Sequence, residues 1–246
     1  MLFQTIKKIL KPIASLSPIA LTKNELYDRL TKKIIQQHCN KKSVCIDIGS
    51  HNGKILEIML QVAPNAIHYA FEPIDVLYKQ LHQKFQQKIK LYPIALSNKK
   101  SVENFNLVLT DMAYSGLKKR FYDKIEEDIS IQVQTDLLDN IIPSTQKISL
   151  LKLDVEGAEL WVLEGSIKTI QSSQPLILFE FGKAAEAYNY NGEIMFQFIN
   201  QTIDYRIYTL KSWLKKEMHL SENEFNNFYK NGNEFFFVAA PYKTII

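Results

Sequence analysis

The sequence predicts an α/β fold: a mostly parallel sheet with helices on both faces. Two observations carry the prediction. Short apolar, largely β-branched runs at 44–48, 67–71, 148–155 and 175–181 alternate with segments of helical period. Such alternation closes into a parallel sheet covered on both sides. The first run also stops at Gly49, with Gly53 four residues on. That is a buried strand passing through a glycine turn into a helix.

Element by element, residues 1–42 read as a helical N-terminal extension and 43–246 as one large domain. After the strand at 44–48 comes a helix to Val62, ended by Pro64. The second strand, 67–71, ends at Glu72-Pro73, and a helix over 75–87 puts Leu77 and Leu81 on one face. The third strand is 89–96. The alternation then breaks over 98–136, where two polar-alternating strands (102–109 and 129–134) read as an inserted hairpin. Its charged, aromatic connection is expected beside the mouth of the site. The strand at 148–155, a helix at 158–170 and the strand at 175–181 resume the pattern. A helix at 194–203, a strand at 205–210 and an aromatic-rich strand at 234–240 complete a count of seven core strands. The linker 211–233 reads as charged and irregular. Without a clear crossover helix, the last strand is expected to run antiparallel.

Lysine and arginine number 30 against 26 aspartate and glutamate. This mild surplus lacks the clustered basic face of a nucleic-acid binder. Lys118-Lys119-Arg120 and Lys215-Lys216 read as solvated faces, with attraction of an anionic substrate as the second reading. Two cysteines, Cys39 and Cys45, make neither a disulfide framework nor a zinc site, so they read as packing residues of a protein in a reducing cytoplasm. No apolar stretch has the length of a membrane span. Lys11, Pro12 and Pro18 interrupt the N-terminal apolar residues, which argues against a signal peptide. A helix there packs on the domain or, as a second reading, lies on a membrane surface. A homodimer through a sheet edge or helix face has no deciding sign in the sequence.

Three constellations carry chemistry. The first is Asp47-Ile48-Gly49-Ser50-His51-Asn52-Gly53. Its glycines let backbone approach a ligand, and the helix start after it offers N–H groups to a carboxylate. Asp47 adds a counter-charge for an ammonium, directly or through water. The spacing is not the G-x-G-x-x-G of dinucleotide sites. The second is Glu72, ending the second strand about twenty residues on, where an acid accepts hydrogen bonds from two ribose hydroxyls. The third is Asp154, Glu156 and Glu159, at a strand end and the helix start that follows, where ligands of such sheets bind. A carboxylate there can orient or deprotonate a hydroxyl. Glu159 reads equally as a cap, and Glu180, at the next strand end, reads equally as site or surface.

Taken together these residues resemble the FkbM family of methyltransferases. The matching pieces are IDIGSHNGK (46–54), AFEP (70–73), ALS (95–97), LLDNI (137–141), LKLDVEGAELWVLEG (151–165) and ILFEF (177–181). The resemblance implies a class I, Rossmann-like methyltransferase fold, S-adenosyl-L-methionine as cofactor, and methylation of a hydroxyl on a sugar, glycan or polyketide-like natural product. By position, Asp47, Gly49 and Gly53 line the methionine end, with Ser50, His51 and Asn52 between them. Glu72 holds the ribose, and Ala95, Leu96 and Ser97 border the adenine. Asp154 and Glu156 face the methyl group and acceptor as the expected catalytic pair. Ser50 stands where glycine or alanine is more usual, and His51 fills the loop or touches a ligand. Phe181-Gly182 replaces a histidine that often follows the acid at 180, so no metal site is expected. Tyr114, Phe121, Tyr122, Tyr188 and Tyr190 are candidates to stack on a sugar face, or plain packing. A nicotinamide oxidoreductase is the first rival and lacks its glycine fingerprint. A methyltransferase-like binding domain without catalysis is the second, and the intact glycines and acids oppose it.

Overall fold

The computed structural model describes residues 22–122 and 124–243. The helical reading of 1–21 lies outside them. Thr22 caps helix α1 (Lys23–His38), whose Tyr27, Thr31, Ile34 and Ile35 form a buried stripe of helical period. Two strand–helix units follow: β1 (Cys45–Ile48), α2 (Lys54–Val62), β2 (His68–Phe71), α3 (Asp75–Phe85) and β3 (Ile89–Tyr92). β4 (Ala95–Leu96) precedes the insertion, which holds β5 (Ser101–Val108) and β6 (Asp128–Asp136), and α4 (Leu138–Ile141) leads out of it. The chain then runs through β7 (Leu150–Leu153), α5 (Glu159–Glu164), α6 (Ile167–Ser173), β8 (Leu176–Glu180), α7 (Gly192–Gln197), β9 (Tyr205–Thr209), α8 (Leu210–Lys215), α9 (Glu222–Asn231) and β10 (Phe236–Pro241).

Seven strands form one sheet in the order β3-β2-β1-β7-β8-β10-β9. The pairs from β3 to β8 are parallel, and β10 is antiparallel to both of its neighbours. The last strand is thus antiparallel as expected, and it is wedged between β8 and β9. Alternate residues feed two cores. Ile46, Ile48, Leu151, Leu153 and Phe179 pack with Leu163, Ile170, Met195 and Phe225 on one face. Cys45, Leu150, Leu178 and Val238 pack with Ile34, Ile35, Leu56 and Met59 on the other. The period of two along each strand is what divides them. Among the described residues no helix is long and apolar enough to cross a membrane.

Three local expectations need correction. The run 89–96 is not one strand: β3 ends at Tyr92, and Ala95-Leu96 pairs with β6 in a separate three-stranded sheet. The helix expected over 158–170 breaks at Gly165-Ser166. There a Cβ on Gly165 would meet the Ser97 carbonyl at 2.2 Å. The Asp139 carboxylate accepts the N–H groups of Lys168 and Thr169 at 2.9 and 2.8 Å, starting α6 afresh. The linker 211–233 is not irregular. It carries α8 and α9, the latter begun by a capping box in which Ser221 and Glu224 satisfy each other's backbone N–H groups.

Phe237 on β10 is fully buried, with ring centroids 4.9 Å from Phe225 and 5.6 Å from Phe179. Phe237→Ala should cost about 3–5 kcal/mol, since the strand on either side prevents collapse of the void. Urea denaturation with an unchanged slope checks this.

Candidate active site

A cavity of about 800 Å³ opens at the carboxyl ends of β1, β2, β7 and β8. Residues of α1 and of the insertion complete its wall, Asn24 and Tyr27 from the first and Tyr114 and Arg120 from the second. Its volume suits a ligand of cofactor size.

The loop after β1 is tightly specified. Gly49 has φ +73°, and a Cβ there would stand 1.9 Å from the Asp154 carbonyl oxygen, so no other residue fits. The N–H groups of Gly49 and Ser50 both donate to the Phe71 carbonyl at 3.1 Å, tying the loop to β2. The Ser50 hydroxyl donates back to the Asp47 carbonyl at 2.9 Å. Serine is accommodated where a smaller residue is more usual because it closes this turn. His51 takes a left-handed conformation, φ 47°, and its N–H donates to Glu72 at 2.8 Å. The other Glu72 oxygen accepts from the Ile74 N–H at 3.0 Å. Each oxygen keeps a lone pair for a ligand hydroxyl. Burial pushes Glu72 up to about 7, against the pull of those N–H groups and of Lys152.

Of the residues expected at the cofactor, Gly49, Ser50, His51, Asn52, Glu72, Ala95, Leu96 and Asp154 line the cavity. Asp47, Gly53 and Ser97 are buried outside its wall. Asp47 pairs with Lys152, whose Nζ lies 3.4 Å from Asp47 Oδ1, 3.4 Å from Asp154 Oδ2 and 2.8 Å from the Gly49 carbonyl. The register of β1 and β7 places Asp47 opposite Lys152, so both project to the same face of the sheet. Burial lowers the ammonium's proton affinity, but Asp154 and Asp47 outweigh it and hold Lys152 well above the ordinary lysine range. Lys152 stands inside the motif at 151–165, yet an isolated lysine in an apolar strand carries no sign of its partners.

Asp154, Glu156 and Glu180 bring carboxylate oxygens within 4.8 Å of one another. Two of the three have a cation: Lys152 for Asp154, and Arg120 for Glu156 at 2.8 Å. Arg120 comes from the basic run read as a solvated face. It turns inward, its guanidinium 4.8 Å from the ring centre of Tyr114 and 5.8 Å from that of Tyr122. Burial and the Asp154 charge raise Glu156, with Arg120 opposing. Glu159 lines the cavity and does not cap its helix, whose N-cap Ala158 has no side-chain bond; its carboxylate instead holds the preceding loop, accepting the N–H groups of Val155 and Gly157 at 3.0 and 3.2 Å. Burial pushes it up to about 7. Of the candidate stacking residues, Tyr114 lines the cavity. Tyr190 is core and donates to the Gly157 carbonyl at 2.6 Å, while the Tyr188 hydroxyl accepts the Lys118 N–H at 3.0 Å. Phe121 points to solvent.

A family model for the methyltransferase FkbM domain matches residues 47–208. The chain belongs to the FkbM methyltransferase family. The FkbM methyltransferase of Methylobacillus flagellatus KT is similar in structure, with TM-score 0.51 and 15% identity over 82% of this chain. This chain spans 44% of that protein's length. The precorrin-6y C5,15-methyltransferase of Geobacter metallireducens GS-15 follows with TM-score 0.46 and 10% identity over 89% of each chain. A Streptococcus mutans protein described as a methyltransferase, solved in complex with SAH, has TM-score 0.46 and 12% identity over 86% of this chain and 96% of its own. No curated protein matches the sequence. The fold is the class I methyltransferase fold, and S-adenosylmethionine is the cofactor of this family. The glycine loop, the inward Glu72 and the cavity volume fit it.

Two expectations follow from the buried charges. Lys152→Met strands Asp47 without its ion-pair partner and should cost about 3–5 kcal/mol, read by chemical denaturation. Glu72 and Glu159 bind protons near pH 7 when folded but near about 4.3 when unfolded. The folded chain thus holds more protons between these values. The stability this provides is complete below the lower value and is lost as pH rises through the upper. The Tm of ligand-free protein should therefore fall from pH 5 to pH 8, less steeply in Glu159→Gln, by scanning calorimetry.

Proposed function

We propose that this chain transfers the methyl group of S-adenosylmethionine to a hydroxyl oxygen of a sugar, glycan or natural-product acceptor. The observation that carries this is one cavity with the glycine loop and Glu72 at one part of its wall and the carboxylates of Asp154, Glu156 and Glu180 at another. The first set suits the cofactor. The second suits a neutral acceptor that must lose a proton. The cofactor supplies an activated methyl group on sulfur.

The chain's own residues do the rest. Glu72 accepts from the ribose hydroxyls, and the turn at His51 holds its carboxylate still. Ala95 and Leu96 offer an apolar wall to the adenine, while the loop from Gly49 to Asn52 takes the methionine end. Asp47, through Lys152, keeps that loop and Asp154 in register. Asp154 and Glu156 orient acceptor and methyl group in line, and Arg120 fixes Glu156. Orientation of this kind is worth roughly 7–11 kcal/mol for a well-held pair. The two free, buried cysteines agree with work in a reducing cytoplasm.

Glu72→Ala removes a charged acceptor of two hydrogen bonds and should weaken S-adenosylmethionine binding about 10- to 100-fold by calorimetric titration. The nicotinamide cofactors should not bind either protein. Failure of folded wild-type protein to bind S-adenosylmethionine would withdraw the proposal in favour of a non-catalytic binding domain.

A further inference from the structure

The three clustered carboxylates differ in what engages them. In the β7–β8 pair Lys152 lies opposite Leu178 and Leu153 opposite Phe179. Two residues beyond the first of these, Asp154 comes beside Glu180 on the face that Lys152 also occupies. Asp154 is held by Lys152 and Glu156 by Arg120. Glu180 lines the cavity, and among the described residues its carboxylate has neither a hydrogen bond nor an ion pair. A general base needs a lone pair free to meet the substrate proton, and a proton affinity near the working pH. Asp154 and Glu156 each have a cation in contact that opposes proton uptake and holds one oxygen, whereas no cation touches Glu180 among the described residues.

We propose that Glu180 is the catalytic residue that takes the proton from the acceptor hydroxyl, while Asp154 and Glu156 position the reactants. This rests on the methyl-transfer reading above. The acceptor oxygen forms a bond to the methyl carbon, and the carbon–sulfur bond breaks with its electron pair passing to sulfur. The acceptor O–H bond breaks, and its proton passes to Glu180 and then to solvent. The ionisable groups that face Glu180 are Asp154 and Glu156 from the loop after β7, Glu159 at the start of α5, Lys152 on β7 and Tyr27 on α1. Burial first, and then the three carboxylates, raise its proton affinity well above the ordinary glutamate range, with Lys152 opposing. Lys152 is shared by Asp47 and Asp154 and Arg120 is engaged by Glu156, so with Glu180 four carboxylates stand against two cations, a surplus of negative charge that favours uptake of a proton there.

The test uses Glu180→Gln, which keeps the side chain's volume, beside Glu180→Asp and wild type. S-adenosylmethionine binding is followed by calorimetry, and methyl transfer to a panel of methyl glycosides at saturating cofactor. Glu180→Gln should bind S-adenosylmethionine within about threefold of wild type and lose about 10²–10⁴-fold in kcat, with Glu180→Asp recovering part of the loss. In wild type kcat should rise with pH as the base loses its resting proton, and that rise should vanish in Glu180→Gln. A second reading needs no acceptor. In protein labelled with ¹³C-glutamate and loaded with the unreactive analogue sinefungin, the carboxylate signal missing from Glu180→Gln should titrate above the free-glutamate value of about 4.3. Retention of kcat within threefold, titration of that signal at the free value, or turnover that needs Mg²⁺ and is abolished by EDTA would each overturn the assignment. Absence of S-adenosylmethionine binding by wild type would instead overturn the methyl-transfer reading itself. If the cofactor binds but no glycoside is methylated, the carboxylate titration decides on Glu180 alone.

Discussion

Lys152 is buried between Asp47, Asp154 and the carbonyl of Gly49, and the floor of the cavity depends on that one ammonium. Taking a carboxylate out of water costs several kcal/mol, and Asp47 is fully buried. The Lys152 ammonium beside it opposes that cost. The same ammonium fixes the Gly49 carbonyl, while the absent Cβ of Gly49 admits the Asp154 backbone. The glycine loop after β1 and the acidic loop after β7 are therefore one unit, closed by a salt bridge on one side and by backbone contact on the other.

From that floor the wall is built by parts with different origins. The sheet presents Glu72, Asp154 and Glu180 at neighbouring strand ends, as open parallel sheets present their ligand sites. The small sheet β4-β6-β5 has its own apolar cluster of Phe105, Val133 and Ala95, which also packs Ile74 and Leu77. It carries Arg120 over the acids, between Tyr114 and Tyr122. The N-terminal helix α1 adds Tyr27, whose hydroxyl donates to Glu234 at 2.6 Å. The glycine loop and the strand-end acids thus come from the sheet core, and the outer wall comes from segments outside the recognisable motifs. Selectivity for the acceptor is expected to reside in those segments.

How legible each part was follows from how local its cause is. The strand at 44–48, the glycine turn and Glu72 depend on neighbours in sequence and were readable from pattern. The antiparallel final strand was expected from the lack of a crossover helix, yet two helices, α8 and α9, stand in that linker, so the orientation was right and its premise was not. The capping box at Ser221 and Glu224 was equally local, and α9 lay hidden because its charged surface obscured the helical period. Other features have distant causes. Position 165 has room only for glycine because the Ser97 carbonyl, 68 positions away, occupies its Cβ space. Arg120 turns inward because Glu156 and two tyrosine rings receive it, and nothing in the run Lys118-Lys119-Arg120 distinguishes it from its solvated neighbours.

The sequence by itself determined the sheet class, the family, the cofactor and the positions along the chain at which charge meets strand ends. These follow from periodicity, glycine placement and contiguous motifs, all of them short-range. Only the tertiary structure decided which acid has a partner. Strand register set Asp47 against Lys152 and Asp154 beside Glu180, and the inserted sheet brought Arg120 to Glu156. A carboxylate's role depends on the charges within a few ångströms of it, and those neighbours are assembled by the sheet rather than written next to it in the chain.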